Sequence, residues 1–374
     1  MRGQTSQNRI IMLVDLDYFY AQCEETRNPS IKDKPVVVGV YSGRTEDSGA
    51  VGTANYIARE YGVKSGIPIY SAKAKLKDVD AVFLPVDHAY YGEVSRRIMK
   101  ILSSYADHFE QVGIDEAYLD VSRKGRGDFE RARRLAKKIK KAVKEQEKLT
   151  CSIGVGPNKL IAKIASDVKK PDGLTVVKPE RVKRFLSPLP VGRIIGIGSK
   201  TVKKMEELGI KTIGELSKYD VQKLVKLFGR NLGTYFHNAS LGRGSDRVQE
   251  RGEVKSLSRI STLKENTRDL KVILEKASLL SKEIHSELIE LSLFFKTVGV
   301  IAIMEDLATL SRSKSFENPT NELDTIDKAV EELFDKLIKE SELEIRRVGV
   351  KVSNFYKEQK MQKYITDYFR VYNS

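Results

Sequence analysis

The chain has 374 residues, 40% of them hydrophobic, with two cysteines, four histidines and a formal net charge of +15. That length allows two to four compact domains with real cores. No apolar run approaches the roughly 18 residues of a membrane span and no secretory pattern opens the chain; two cysteines and four scattered histidines argue against a disulfide framework or a zinc site, so a reduced, cytoplasmic setting and no membrane are expected.

Met1 to Asn8 reads as a short polar leader. Residues 9–17 read as a buried strand that ends in Val14-Asp15-Leu16-Asp17, and Tyr18 to Glu25 as the helix or turn after it. Pro35 to Val40 is a second strand, followed by a polar loop, small residues (Ala50, Gly52, Ala54) and a helix expected from about Thr53 to Tyr61. A helix near Ser71 to Lys77 and a strand from Ala81 to Pro85 follow. Residues 89–105 carry Val94, Ile98, Ile101 and Leu102 on one helical face. Phe109 to Val112 and Ala117 to Val121 read as a hairpin around an acidic turn, Ile114-Asp115-Glu116-Ala117.

Asp128 is a suitable N-cap for a long amphipathic helix to about Leu149. Cys151 to Val155 is a strand, and a helix follows from about Asn158 to Val168. This order predicts a ferredoxin-like sheet with helices on one face. Residues 178–241 look all-helical, punctuated by Gly196, Gly198, Gly209, Gly214 and Gly229. Residues 242–253 are polar and read as a linker. Residues 254–353 repeat a β-α-β-β-α-β order, so the fold class expected is α+β and multi-domain.

Positive charge is concentrated mid-chain. Residues 87–177 hold 19 basic and 13 acidic residues, and residues 178–253 hold 16 and 8. That distribution points to a nucleic-acid footprint.

Asp15, Asp115 and Glu116 stand at the ends of apolar, β-favouring runs, where ionised carboxylates cost several kcal/mol unless something cationic meets them. Converging from neighbouring strands, with the Leu16 carbonyl as a fourth hard oxygen, they would suit divalent cations such as Mg²⁺. On these residues alone a structural ion-pair cluster is an equal reading, and Asp17 is left open between joining the carboxylates and facing a salt bridge. Val191-Gly192-Arg193-Ile194-Ile195-Gly196-Ile197-Gly198-Ser199-Lys200-Thr201 places a Gly-Ile-Gly turn before a helix, exposing N–H groups to a phosphate.

Several blocks resemble the Y-family of translesion DNA polymerases, in its archaeal DinB-type branch. They are Val14-Asp15-Leu16-Asp17-Tyr18-Phe19-Tyr20-Ala21, Ser48-Gly49-Ala50-Val51-Gly52-Thr53-Ala54-Asn55-Tyr56 with Arg59, Gly113-Ile114-Asp115-Glu116-Ala117-Tyr118-Leu119-Asp120, Gly154-Val155-Gly156-Pro157-Asn158-Lys159 with Ala162-Lys163-Ile164-Ala165-Ser166, and Lys169-Lys170-Pro171-Asp172-Gly173. The resemblance implies a template-directed, low-fidelity DNA polymerase acting on primer-template DNA and deoxynucleoside triphosphates. Its catalytic residues would be Asp15, Asp115 and Glu116, holding two Mg²⁺ ions together with the Leu16 carbonyl; Mn²⁺ would substitute. Thr53, Tyr56, Arg59 and Lys170 would contact the triphosphate. Tyr18 and Phe19 go with that nucleotide set in the family, although as residues they read as core or supporting aromatics. Tyr20 would be the steric gate that excludes a ribose 2′-hydroxyl.

The implied domains are a palm (1–18 and 87–177), fingers (19–86), a helix-hairpin-helix thumb (178–241), the linker (242–253), a little finger (254–360) and a tail (361–374). Gly196, Gly198 and Lys200 in the thumb, with Arg346 and Arg347 in the little finger, would hold DNA phosphates. Lys255, Arg259, Lys296, Arg312, Lys314 and Lys351 also sit on little-finger strands. Gln362, Ile365, Tyr368 and Phe369 fit a box for a sliding clamp. A monomer is expected. A nucleotide cyclase with a similar palm and a non-catalytic DNA scaffold remain as alternatives.

Overall fold

The computed structural model describes residues 9–249 and 252–357. The leader and the candidate clamp box (Gln362, Ile365, Tyr368, Phe369) lie outside the described residues. By contact density the described chain forms two units: residues 9–40 with 50–249, and residues 41–49 with 252–357.

The first unit is built on β1 (Ile11–Leu16), whose six residues are all buried. It leads through α1 (Phe19–Arg27) into β2 (Val36–Tyr41), β3 (Gly49–Ala54), α2 (Tyr56–Glu60), α3 (Ile69–Lys75) and β4 (Val82–Pro85). These strands form a small sheet of order β3-β2-β4, with β2 and β4 parallel. The helix expected from Thr53 is therefore corrected. Gly49–Ala54 is a strand, because its small residues pair with β2, and the helix starts only after Asn55 caps it by accepting from the Ala58 N–H at 2.9 Å.

The chain returns through α4 (His88–Ser104), β5 (His108–Gln111), β6 (Glu116–Asp120), α5 (Phe129–Glu147), β7 (Cys151–Gly156), α6 (Lys159–Asp167) and β8 (Leu174–Val176). The resulting sheet has the order β5-β6-β1-β7-β8. Its first four strands have the ferredoxin-like arrangement, and β8, not anticipated, adds a parallel edge to β7.

β1 is covered on both faces, and its period of two sorts its side chains. Ile10, Met12, Val14 and Leu16 join the core with α4 and α5. Ile11 and Leu13 face the other way, against Tyr118, Ala162 of α6 and Val248. Asp15 has the parity of Ile11 and Leu13 and so points to the α6 side.

Two glycines bring α6 down onto that face. A Cβ at Gly154 would lie 2.0 Å from the Ala162 carbonyl oxygen, and one at Gly156 would lie 2.7 Å from Ile161. Asn158 caps α6 through Ile161 N–H at 3.0 Å and donates to the Gly242 carbonyl at 2.8 Å.

The segment read as a linker is fastened over its first half. Ser245 accepts from the Lys159 N–H at 2.9 Å, Asp246 pairs with Arg9 at 3.5 Å, and Val248 is buried. The apolar Val248 and these backbone bonds outweigh a merely polar composition.

Between α6 and this segment lie α7 (Val182–Leu186), α8 (Ser199–Glu207), α9 (Ile213–Lys218) and α10 (Val221–Ser240), all helical as expected. α10 is kinked at Gly229, whose φ is 80°.

The second unit carries β9 (Ser256–Thr267), α11 (Leu270–Glu290), β10 (Leu293–Met304), β11 (Thr309–Thr320), α12 (Leu323–Glu340) and β12 (Ile345–Lys357). Its sheet order is β11-β10-β12-β9 and every pair is antiparallel. The element order thus repeats that of the first unit while the strand order differs. Among the described residues no helix is long and apolar enough to cross a membrane.

Candidate active site and nucleic-acid interface

β1 and β6 run antiparallel with Asp15 opposite Glu116, and Leu16 N–H donates to the Asp115 carbonyl at 2.8 Å. The three carboxylates expected to converge are therefore gathered at one end of the central strand pair. Burial raises the Asp115 carboxyl above its ordinary value, and the charges of Asp15 and Glu116 raise it further.

Two lysines close on this cluster. Lys163 Nζ, on α6, donates to Asp15 Oδ2 at 3.0 Å and to Glu116 Oε2. Lys170 Nζ donates to Asp15 Oδ1 at 2.6 Å and pairs with Asp167 at 2.9 Å. Burial opposes both ammonium charges, but Asp15 and its neighbours outweigh it and raise both lysines.

Among the described residues no three His, Cys, Asp or Glu side chains stand as a ready metal cage. The lysines hold the carboxylate oxygens instead. The donor set still fits hard divalent cations, because it is all carboxylate and carbonyl oxygen, and Asp115 stays destabilised by burial and by the charges of Asp15 and Glu116 despite Lys163. Lys163 received no role from the sequence. Its signals were a place in the resembling block Ala162-Lys163-Ile164-Ala165-Ser166 and a cation within an apolar stretch.

The salt-bridge alternative for Asp17 is corrected: among the described residues it pairs with no cation. It is 1% exposed, and its carboxylate accepts from Ser152 Oγ at 2.7 Å, Thr150 Oγ1 at 2.9 Å and Asp172 N–H at 2.8 Å. Short polar donors satisfy it because β7 brings hydroxyls, rather than a cation, to that side.

Tyr20 is half-buried and stacks on Tyr91, with ring centroids 4.5 Å apart and planes 15° apart. A Cβ at Gly52 would lie 3.8 Å from its ring. Burial raises its hydroxyl, and Asp115 adds to the shift, which places the ring near the carboxylates. Phe19 is buried core. Tyr18 meets Tyr56 edge-on at 5.4 Å and donates to Glu25 at 3.2 Å.

Thr53 is half-buried on β3, three residues before Tyr56, the first residue of α2. Arg59 Nε donates to the Ala54 carbonyl at 2.9 Å, and its guanidinium lies 4.7 Å from the Tyr56 ring centre. The Tyr56 hydroxyl is raised by burial, lowered by Arg59 and Lys170, and raised by Asp15 and Asp17. Tyr56 and Lys170 thus neighbour the carboxylates, with Arg59 against Tyr56.

In the helical segment, Gly198 is the N-cap of α8 and supplies no side chain to it. Gly196 has φ 86°, a conformation that favours glycine. A Cβ at Gly198 would meet nothing within 4 Å, and Lys200 is exposed in the first turn. The first N–H groups of α8 are therefore open to an anion.

The second unit distributes its basic residues differently from the expectation. Arg259, Arg312 and Lys314 pair in register with Val350, Val300 and Val298, the buried face under the helices. They are held by acids there: Arg259 by Glu287 at 2.5 Å, Arg312 Nε by Glu340 at 2.9 Å, and Lys314 by Glu332. Strand alternation put them on the helix side, where they cover apolar edges.

The opposite face carries Arg347 and Lys351 among Gly299, Gly349, Ser258, Thr262, Ser311 and Ser313. Arg346 lies in the irregularity between Ile345 and Arg347. Arg347 Nε is buried without a hydrogen-bond partner.

The impB/mucB/samB family matches residues 14–167, its C-terminal domain residues 254–365, and the thumb domain of DNA polymerase-iota residues 193–246. A DNA polymerase IV of Nitrosopumilus maritimus is 48% identical over 97% of this chain and 100% of its own length. One of Methanosarcina acetivorans is 44% identical over 96% and 99%. Among solved structures, a Y-family DNA polymerase chimera superposes with a TM-score of 0.87 at 41% identity, over 93% of this chain and 99% of that one. The insertion ternary complex of Dbh DNA polymerase gives 0.68 at 40% identity over the same shares.

Proposed function

The chain belongs to the Y-family of DNA polymerases, in the archaeal DinB-type branch, and is a low-fidelity translesion DNA-directed DNA polymerase; within that activity we propose that Asp15, Asp115 and Glu116 are its catalytic carboxylates. The family depends on divalent metal, and two Mg²⁺ ions, or Mn²⁺ in their place, are the reading the donor set supports. When bound, such ions supply a lowered pKa at the primer 3′-hydroxyl and charge neutralisation at the triphosphate.

Everything else is done by the chain. Asp15 and Glu116 face each other across β1 and β6 and would hold the cations with Asp115 and the Leu16 carbonyl. Lys163 and Lys170 hold Asp15 in place, and Lys170 is positioned to exchange its carboxylate partner for a phosphate oxygen. Arg59, steadied by the Ala54 carbonyl, Tyr56 and Thr53 would complete the triphosphate clamp. Tyr20, braced by Tyr91, would form the floor beneath the sugar and exclude a 2′-hydroxyl.

The partners are primer-template DNA and deoxynucleoside triphosphates. The β5-β6-β1-β7-β8 sheet would be the palm, the β3-β2-β4 sheet the fingers, and the helical segment the thumb, with Gly196, Gly198 and Lys200 on a phosphate. The second unit would be the little finger, meeting DNA through Arg347, Lys351 and Arg346. The protein is read as a monomer that gains processivity from a sliding clamp bound by Gln362, Ile365, Tyr368 and Phe369. A cyclase would need neither the matched thumb segment nor the C-terminal domain.

The observation that carries the reading is the Asp15–Glu116 pairing with Asp115 beside it. Primer extension with Mg²⁺ tests it: Asp115→Ala and Glu116→Ala should each abolish extension while the protein stays folded. Extension that survives either change would reject the assignment.

A further inference from the structure

Asp17 lies two residues beyond Asp15, buried, and is not part of the carboxylate cluster. Two of its three partners have a common destination. Oδ2 takes the backbone N–H of Asp172 at 2.8 Å, and Oδ1 takes Ser152 Oγ at 2.7 Å. Ser152 Oγ in turn accepts the Gly173 N–H at 3.1 Å. Two consecutive N–H groups of the loop 169–173 are thus anchored to one carboxylate, directly and through one hydroxyl.

The loop is gripped from its other side by Lys140. Its Nζ donates to Asp172 Oδ1 at 2.7 Å, to the Cys151 carbonyl at 2.8 Å and to the Gly173 carbonyl at 3.2 Å. Asp172 itself holds φ 53°, a conformation in which a non-glycine residue needs such external support. Lys170, two residues earlier in this loop, is the residue whose ammonium reaches Asp15 at 2.6 Å. The same three residues of chain, 15–17, therefore contact Lys170 at one end and the loop carrying it at the other.

We propose that Asp17 is a positioning residue that fixes the Lys170 ammonium over the catalytic carboxylates and hence over the incoming triphosphate. The inference rests on the assignment of Lys170 to the triphosphate made above. Asp17 touches no substrate. It acts by removing the loop's freedom, so that Lys170 needs no ordering when nucleotide binds.

The test is single-nucleotide primer extension by the full chain, reading KM for the deoxynucleotide and kcat separately, in Asp17→Asn, Lys170→Ala and the double variant. Asp17→Asn should raise KM about tenfold, equivalent to roughly 1.4 kcal/mol, the scale of one charge-assisted hydrogen bond. It should leave kcat within about twofold, a split that a general loss of structure would not produce. Lys170→Ala should raise KM as well, and Asp17→Asn should add nothing in its presence. Thr150→Val, which removes one bond to Asp17 without touching the loop, should shift KM the same way by less, and keeps the test open if Asp17→Asn folds poorly.

An unchanged KM in Lys170→Ala would overturn the triphosphate role of Lys170. A KM that rises in Lys170→Ala but not in Asp17→Asn or Thr150→Val would overturn the positioning role alone. Effects of Asp17→Asn and Lys170→Ala that multiply in the double variant would also overturn it.

Discussion

Gly154→Ala inserts one methyl group between β7 and α6. The new Cβ would lie 2.0 Å from the Ala162 carbonyl oxygen, 2.3 Å from Ser166 N and 2.9 Å from the Ala165 carbonyl carbon. All three are main-chain atoms of α6, so no side chain can rotate away. The helix must retreat by roughly 1 Å or more before these become ordinary contacts. Overpacking of this kind costs about 1–3 kcal/mol, and a backbone clash belongs at the upper end. For a unit of this size that corresponds to a fall in Tm of roughly 5–10 °C.

The same retreat lifts Lys163 from Asp15 and Glu116. A displacement near 1 Å at a reacting centre can cost on the order of a hundredfold in rate. Scanning calorimetry and primer extension well below the transition check both parts, with Leu102→Ala as a control. That residue is buried on α4 under the other face of the sheet, and its truncation costs about 2–5 kcal/mol without moving α6. An unchanged Tm in Gly154→Ala would refute the packing argument. Leu102→Ala losing as much turnover as Gly154→Ala would refute the link from α6 position to the site.

Tyr20→Ala removes the ring stacked on Tyr91 and should increase ribonucleotide incorporation relative to deoxynucleotide by about tenfold or more, measured by competing nucleotides in single-turnover extension. Undiminished preference for the deoxy sugar would count against the gate. Arg347→Ala should reduce the salt slope of DNA binding by about 1, whereas Arg312→Ala, whose guanidinium is held by Glu340, should leave it unchanged. The reverse ranking would place DNA on the helix side of that sheet. Burial pushes the thiols of Cys23 and Cys151 up to about 12 from an ordinary 9.0. Raised values mean that the stability these groups contribute is whole below pH 9.0 and is lost as the pH climbs through about 12. At about pH 8 a thiol reagent should label neither cysteine until denaturant is added, and prompt labelling of the native protein would contradict that.

Local pattern made much of this protein readable. An apolar run marked β1, helical spacing marked α4 and α5, and Asp128 capped α5 through the Glu130 N–H as its type and place suggested. Gly49–Ala54 escaped because small residues carry no strand preference of their own; only pairing with β2 decides it. The segment 242–248 escaped for a related reason: one apolar residue, Val248, in a polar stretch gives no period to detect.

What the residues determined unaided was the kind of chemistry. Carboxylates at the ends of apolar runs are costly whatever the fold, so Asp15, Asp115 and Glu116 announced a charged site before any coordinates. Which side chains face which was settled only by strand register and by the height of α6 above the sheet. Parity turned Arg259, Arg312 and Lys314 toward glutamates on their own helices, and gave Arg347 and Lys351 the open face. Two missing methyl groups at Gly154 and Gly156 let Lys163 reach carboxylates 148 and 47 positions away in sequence. Contacts over such separations depend on packing in three dimensions, to which a local reading of composition and period is blind.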